Sequence, residues 1–269
     1  MIEKQNKDTI VSGGTGSIKD LEDALNKEKV RIESESRFKL DKNLADEVNS
    51  IVKSGVKLFA KGKLEKAAGQ FKNALTIDPD NPDCLYYLGL YAGKREDYRK
   101  GIDYLEQILH HEYSYLHVKQ IYLCLGFYHS ELGENQKAIE YFEKALALDF
   151  NLTNAMAALG HIYSVGNQLD KSLKILESGL KIDPENPSLL NTLGYILADR
   201  DIDTARGLDL CLRAREKNPK SGAYCDSLGW AYYKNDNRIR GKQMLLEAER
   251  LLPDNEIIKE HLRIVNSDS

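Results

Sequence analysis

The chain has 269 residues and a mass of 30.5 kDa, with 42% hydrophobic residues, 30% charged residues and a mean hydropathy of −0.50. That is enough apolar side chain to build a core, which excludes a disordered chain, and no 18-residue apolar run is present to cross a membrane. The net charge of −4 and pI near 5.9 lack the basic excess of a nucleic-acid binder.

Residues 1–16 contain no apolar stretch of signal-peptide type and no small-residue cleavage site. The expectation is cytoplasmic if Met1 is the native start, and periplasmic if a signal was removed. The run from Thr9 to Lys19 mimics a glycine loop, but it meets neither G-x4-G-K-[ST] nor G-x-G-x-x-G. It reads as a flexible tail, ending at Ser17 as a helix N-cap. Residues 17–47 form an N-terminal helical segment in which Ile18, Leu21, Leu25 and Ile32 share one stripe. Such a stripe serves as a cap on the first repeat, as an occupant of a groove, or as a homo-oligomer contact.

From residue 48 a repeat dominates. Gly55, Gly89, Gly126, Gly160, Gly194 and Gly229 are separated by 34, 37, 34, 34 and 35 residues. Pro79, Pro184, Pro219 and Pro253 keep the same phase. Both ladders need three extra residues, Leu116 to Val118, and one more near Asp201. Small residues follow each glycine, and bulky ones come four later: Phe71, Leu105, Phe142, Leu176, Cys211 and Leu245. Spacings of 3, 4 and 7 are helical, so each period holds two amphipathic helices joined by a short polar turn. Proline stops the second helix, and Pro82 or Pro187 opens the next. A mid-helix glycine costs ~1 kcal/mol against alanine. Its recurrence in one phase therefore points to close packing of the paired helices.

Leu125-Gly126, Ala138, Phe142 and Ala145, and Gly55, Ala67, Phe71, Ala74 and Pro79, closely resemble the tetratricopeptide repeat. Six repeats share this phase: 48–81, 82–115, 119–152, 153–186, 187–221 and 222–255. Residues 256–266 read as a C-terminal capping helix. Departures include Ile108 at a normally small position and Phe150 in place of the terminal proline. The last two repeats look like those of many bacterial members. The resemblance implies an all-α, right-handed solenoid of antiparallel helix pairs that acts as a protein-binding scaffold. It also implies that the fifth, ninth and twelfth positions of each repeat face a concave groove. Carried onto this sequence, the partner-binding residues are Tyr86, Phe127, His161, Asn191, Tyr195, Asp226, Trp230 and Tyr233. Lys and Arg are absent from the fifth and ninth positions, which disfavours the clamp that some members close on a peptide carboxylate.

Catalytic signals are weak. His110, His111 and His117 surround Glu112, but Tyr115 stands where H-E-x-x-H needs its second histidine. Cys84, Cys124, Cys211 and Cys225 include no C-x-x-C pair and sit inside apolar patterns, so they read as small buried hydrophobes. No catalytic residue, metal or cofactor is assigned. The expected function is a non-enzymatic scaffold holding a partner peptide or helix in an apolar and aromatic groove. The alternatives are an enzyme on a helical-repeat frame, or an assembly factor for a bacterial envelope complex if a signal was removed.

Overall fold

A computed structural model describes residues 42–109 and 117–267. Those residues contain thirteen α-helices and no strand. The chain divides into two compact units, residues 1–118 and 119–269. The first holds α1 (Lys42–Ala60), α2 (Leu64–Ile77), α3 (Pro82–Lys94) and α4 (Tyr98–Leu109). The second holds α5 (Val118–Glu131), α6 (Asn135–Leu148), α7 (Thr153–Val165), α8 (Leu169–Ile182) and α9 (Pro187–Asp199). It continues with α10 (Thr204–Lys217), α11 (Gly222–Lys234), α12 (Arg238–Leu251) and α13 (Glu256–Ser267). The fold is an all-α helical repeat. Residues 17–41 of the N-terminal segment, with His110 and His111, lie outside the described residues. Helix α1 begins six residues before the repeat phase starts.

Every turn inside a helix pair uses one residue in the left-handed backbone region. These are Gly62, Glu96, Gly133, Asn167, Asp201 and Asp236, with φ between 52° and 72°. Their spacings are 34, 37, 34, 34 and 35, the same series as the mid-helix glycines. In each turn a following amide donates back to a carbonyl of the first helix, as Lys63 N does to Leu58 O. After Asp201 two amides, Ile202 N and Asp203 N, share Leu197 O. The single inserted residue is absorbed there, without disturbing either helix.

The glycine ladder marks where paired helices touch. A Cβ on Gly55 would lie 2.6 Å from the ring of Phe71, and one on Gly229 would lie 2.8 Å from Leu245. The bulky partners Phe71, Leu105, Phe142, Leu176, Cys211 and Leu245 are at most 2% exposed. Helices α9 and α10 meet with glycine on both sides. A Cβ on Gly207 would come within 2.7 Å of Gly194 O and 2.9 Å of Ala198 N. In α8, Ser172 sits at the small position and turns its hydroxyl inward, donating to Gly160 O at 2.6 Å.

Helix starts follow the sequence closely. Asn81 caps α3 by accepting from Cys84 N, and Asn186 caps α9 by accepting from Ser188 N and Leu189 N. Both precede a proline at the first helical position. The joint before α7 has neither device. Leu152 makes no side-chain cap there, and Phe150 stands 69% exposed. Cys84, Cys211 and Cys225 are buried as expected, whereas Cys124 is half-buried and accepts a hydrogen bond from Gln120.

Helix α13 closes the last pair. Ile258, Leu262 and Val265 are buried against Cys225, Leu245 and Ala248. Asn255 caps it, taking the amides of Ile257 and Ile258. Arg238 of α12 ties down its far end by donating to Val265 O.

Two glycines should respond in opposite ways to alanine. Gly69 lies on an exposed helix face with nothing within 4 Å of its missing Cβ. Gly69→Ala should raise stability by about 0.5–1 kcal/mol. Gly207→Ala meets backbone that cannot yield and should lower it by about 1–3 kcal/mol. Urea midpoints measure both. Removing α13 by ending the chain at Asn255 should uncover the last pair, red-shift Trp230 emission and lower the melting midpoint of the second unit.

Candidate functional site

An open cleft of about 240 Å³ lies in the second unit, across the first helices of successive pairs. Helix α7 contributes His161, α9 contributes Asn191 and Tyr195, and α11 contributes Asp226 and Ser227. The start of α13 supplies a wall through Ile257 and Ile258. The helical periodicity explains the gathering. Positions four apart on a helix share a face, so Asn191 and Tyr195 project together, and the 34-residue repeat brings His161 and Asp226 alongside.

Each group has a distinct electrostatic setting. His161 is exposed to solvent as a residue, yet partial desolvation by the surrounding protein lowers its pKa below the ordinary imidazole value. Tyr195 is half-buried. Burial, and then the charges of Asp199 and Asp226, raise its phenol pKa, while Arg200 opposes the rise. The Oδ1 of Asn191 is buried and has no hydrogen-bond partner among the described residues. Leaving a buried acceptor unsatisfied costs about 1–3 kcal/mol. A half-turn of the amide exchanges its two ends, so this side chain can present either a donor or an acceptor to the cleft.

Behind the cleft two aromatic rings lie face to face. The Trp230 and His261 centroids are 4.2 Å apart with planes inclined by 16°. Each ring is hydrogen-bonded to a carboxylate. Trp230 Nε1 donates to Asp199 Oδ1 at 3.0 Å, and His261 Nδ1 lies 2.8 Å from Asp226 Oδ1. Trp230, His261 and Asp226 are all buried, at 8%, 6% and 8% exposure. Tyr233 is half-buried, 5.1 Å from Trp230, and packs against the cluster under α13.

The eight residues expected to meet a partner therefore divide. His161, Asn191, Tyr195 and Asp226 come together at the cleft. Phe127 is 53% exposed on α5. Trp230 does not lie on an open face, because α13 covers it with His261. Tyr86, in the first unit, is 8% exposed beneath His117, whose ring stacks on it at 4.4 Å. The repeat pattern did not reveal His261, Asp199, Ile257 and Ile258. Asp199 is one residue beyond the twelfth repeat position. The other three belong to a helix outside the repeat phase, so no ladder pointed to them.

Two family models match, one for the TPR repeat over residues 55–93 and one for the tetratricopeptide repeat over residues 130–194. The TPR repeat-containing protein PA4667 of Pseudomonas aeruginosa is 29% identical over 141 residues, covering 51% of this chain and 23% of its own length. The chain spans about a quarter or less of the length of the curated relatives it matches first. Among solved structures, Cut9 with Hcn1 from the anaphase-promoting complex superposes with a TM-score of 0.67 at 14% identity, covering 90% of this chain and 52% of that one. A tetratricopeptide repeat protein from Parabacteroides merdae gives 0.62 at 16% identity, covering 92% and 93%. These likenesses concern the fold. Together with the repeated glycine contacts and left-handed turns, the matches support a tetratricopeptide-repeat protein.

Proposed function

We propose that the chain is a non-enzymatic interaction scaffold that receives an extended or helical segment of a protein partner in the cleft across α7, α9 and α11. Such repeats generally serve as protein-binding scaffolds. The observation that carries the reading here is the open cleft, where three successive first helices deliver polar groups beside apolar walls. Asn191 brings an unsatisfied amide, Tyr195 a stiff half-buried ring, and Ile257 a 62% exposed aliphatic side chain. Recognition sites commonly combine apolar surface with a few placed polar groups, and rigid aromatics make good anchors.

The His261–Asp226 pair is the arrangement that most resembles acid–base machinery. Its imidazole is buried and stacked under Trp230. A general base must reach the proton it abstracts, so the pair is better suited to fastening α13 than to turnover.

The test is site-specific photo-crosslinking in native lysate. A photoreactive residue replacing exposed His161 should capture a discrete partner, and one replacing exposed Lys174 on α8 should not. Asn191→Leu in the His161 probe should cut capture about tenfold or more, since it fills the cleft and removes the amide. Equal capture from both positions, or capture indifferent to Asn191→Leu, would overturn the assignment.

A further inference from the structure

The cleft has a sign, and the sign specifies what enters it. Two carboxylates bear on Tyr195, those of Asp199 and Asp226. Neither is free to swing away. Asp199 is held by the indole N–H of Trp230 and Asp226 by the imidazole of His261, and the two rings stack on one another. Acceptors fixed from behind are preorganised for a ligand in front, because little reorganisation is needed on binding.

The groups able to oppose these carboxylates with positive charge lie behind the cleft rather than in its lining: the His261 imidazole, 2.8 Å from Asp226, and Arg200 beside Asp199. Among the described residues no lysine or arginine lines the cleft. Arg200 approaches Asp199 Oδ2 at 3.4 Å, but its side chain is 47% exposed, so much of its charge is spent on solvent. Lys234 is engaged elsewhere, 2.6 Å from Asp201. Desolvation keeps His161 toward its neutral form. An acidic group entering the cleft would meet the fixed carboxylate of Asp226 in its lining, with the charge of Asp199 bearing on Tyr195 from behind. A cation would meet the Asp226 carboxylate together with the ring of Tyr195, and aromatic rings attract cations.

We propose that the inner end of this cleft takes the positively charged side chain of a lysine or arginine from the partner segment, beside Tyr195 and Asp226, with a neighbouring apolar residue of the segment resting on Ile257. This rests on the groove reading and gives its occupant a chemistry. A cationic anchor is the reverse of a clamp on a peptide carboxylate. It comes from charge complementarity at this cleft rather than from the repeat pattern.

Trp230 is the single tryptophan of the chain and touches both Asp199 and His261, so its emission reports occupancy. The probes are acetylated, amidated nine-residue peptides, identical except for a central Arg, Lys, Gln or Glu between leucines. The Arg and Lys peptides should bind about five- to thirty-fold more tightly than the Gln peptide, and the Glu peptide weakest. Raising the salt from about 0.05 to about 0.5 M should shrink that preference. Asp199→Asn keeps an acceptor for the indole N–H and removes the charge. It should reduce the Arg preference at least about threefold with an unchanged helical spectrum. Asp226→Asn should act in the same direction, and Asp199→Asn decides alone if that second variant fails to fold. The proposal is overturned if Arg and Glu peptides bind alike, if Asp199→Asn leaves the preference intact, or if no peptide perturbs Trp230. Crosslinked capture at His161 without a charge preference would remove this inference and leave the groove reading standing. Failed capture at His161 would remove the groove reading itself.

Discussion

The closeness of paired helices governs the rest of the structure. A glycine on one helix faces a small residue on the other, and a bulky side chain fills the space left beside them. Gly55 with Phe71, Gly126 with Phe142 and Gly229 with Leu245 are variations on that contact. Dispersion falls off steeply with separation, so a gap opened by one methyl group would forfeit much of the contact energy. With the separation fixed, the left-handed turn residue becomes necessary, because only a tight reversal returns the chain at that distance. The projection of the first helices is set in turn, and with it the gathering of His161, Asn191, Tyr195 and Asp226.

The fold was legible because packing wrote itself into the sequence many times. A requirement repeated every 34 residues stands out even when any one instance is unremarkable. The inserted residue near Asp201 was visible for the same reason, and the turn absorbs it through two amides on Leu197 O. The left-handed positions were less visible. Gly62 and Gly133 advertise themselves, but Glu96, Asn167, Asp201 and Asp236 adopt the same φ without a glycine. There the flanking helices impose the conformation at a cost of order 1 kcal/mol or more.

The site was only half legible. Repeat position identified residues on the first helices but could not say what would lie over them. Tyr86 and Trp230 occupy equivalent kinds of position to Asn191 and Tyr195, yet each is covered by a histidine. Both covering residues, His117 and His261, lie outside the repeat phase, one at the irregular second joint and one in the closing helix. Non-repeated elements thus decide which parts of a repeated surface stay open. Their contacts join side chains distant in sequence, as His261 does with Trp230, and no periodicity encodes them.

Where α9 and α10 meet with glycine on both sides, the bulky position is filled by the compact Cys211. Its thiol is fully buried, and that burial pushes its pKa up. A thiol reagent reacts with the thiolate, so native Cys211 is doubly shielded, by access and by ionisation. Modification then waits for α9 and α10 to part. Under conditions where reclosing outpaces the reagent, the labelling rate measures the free energy of that local opening. This glycine-lined contact therefore carries its own clock, readable at a single helix pair without unfolding the chain.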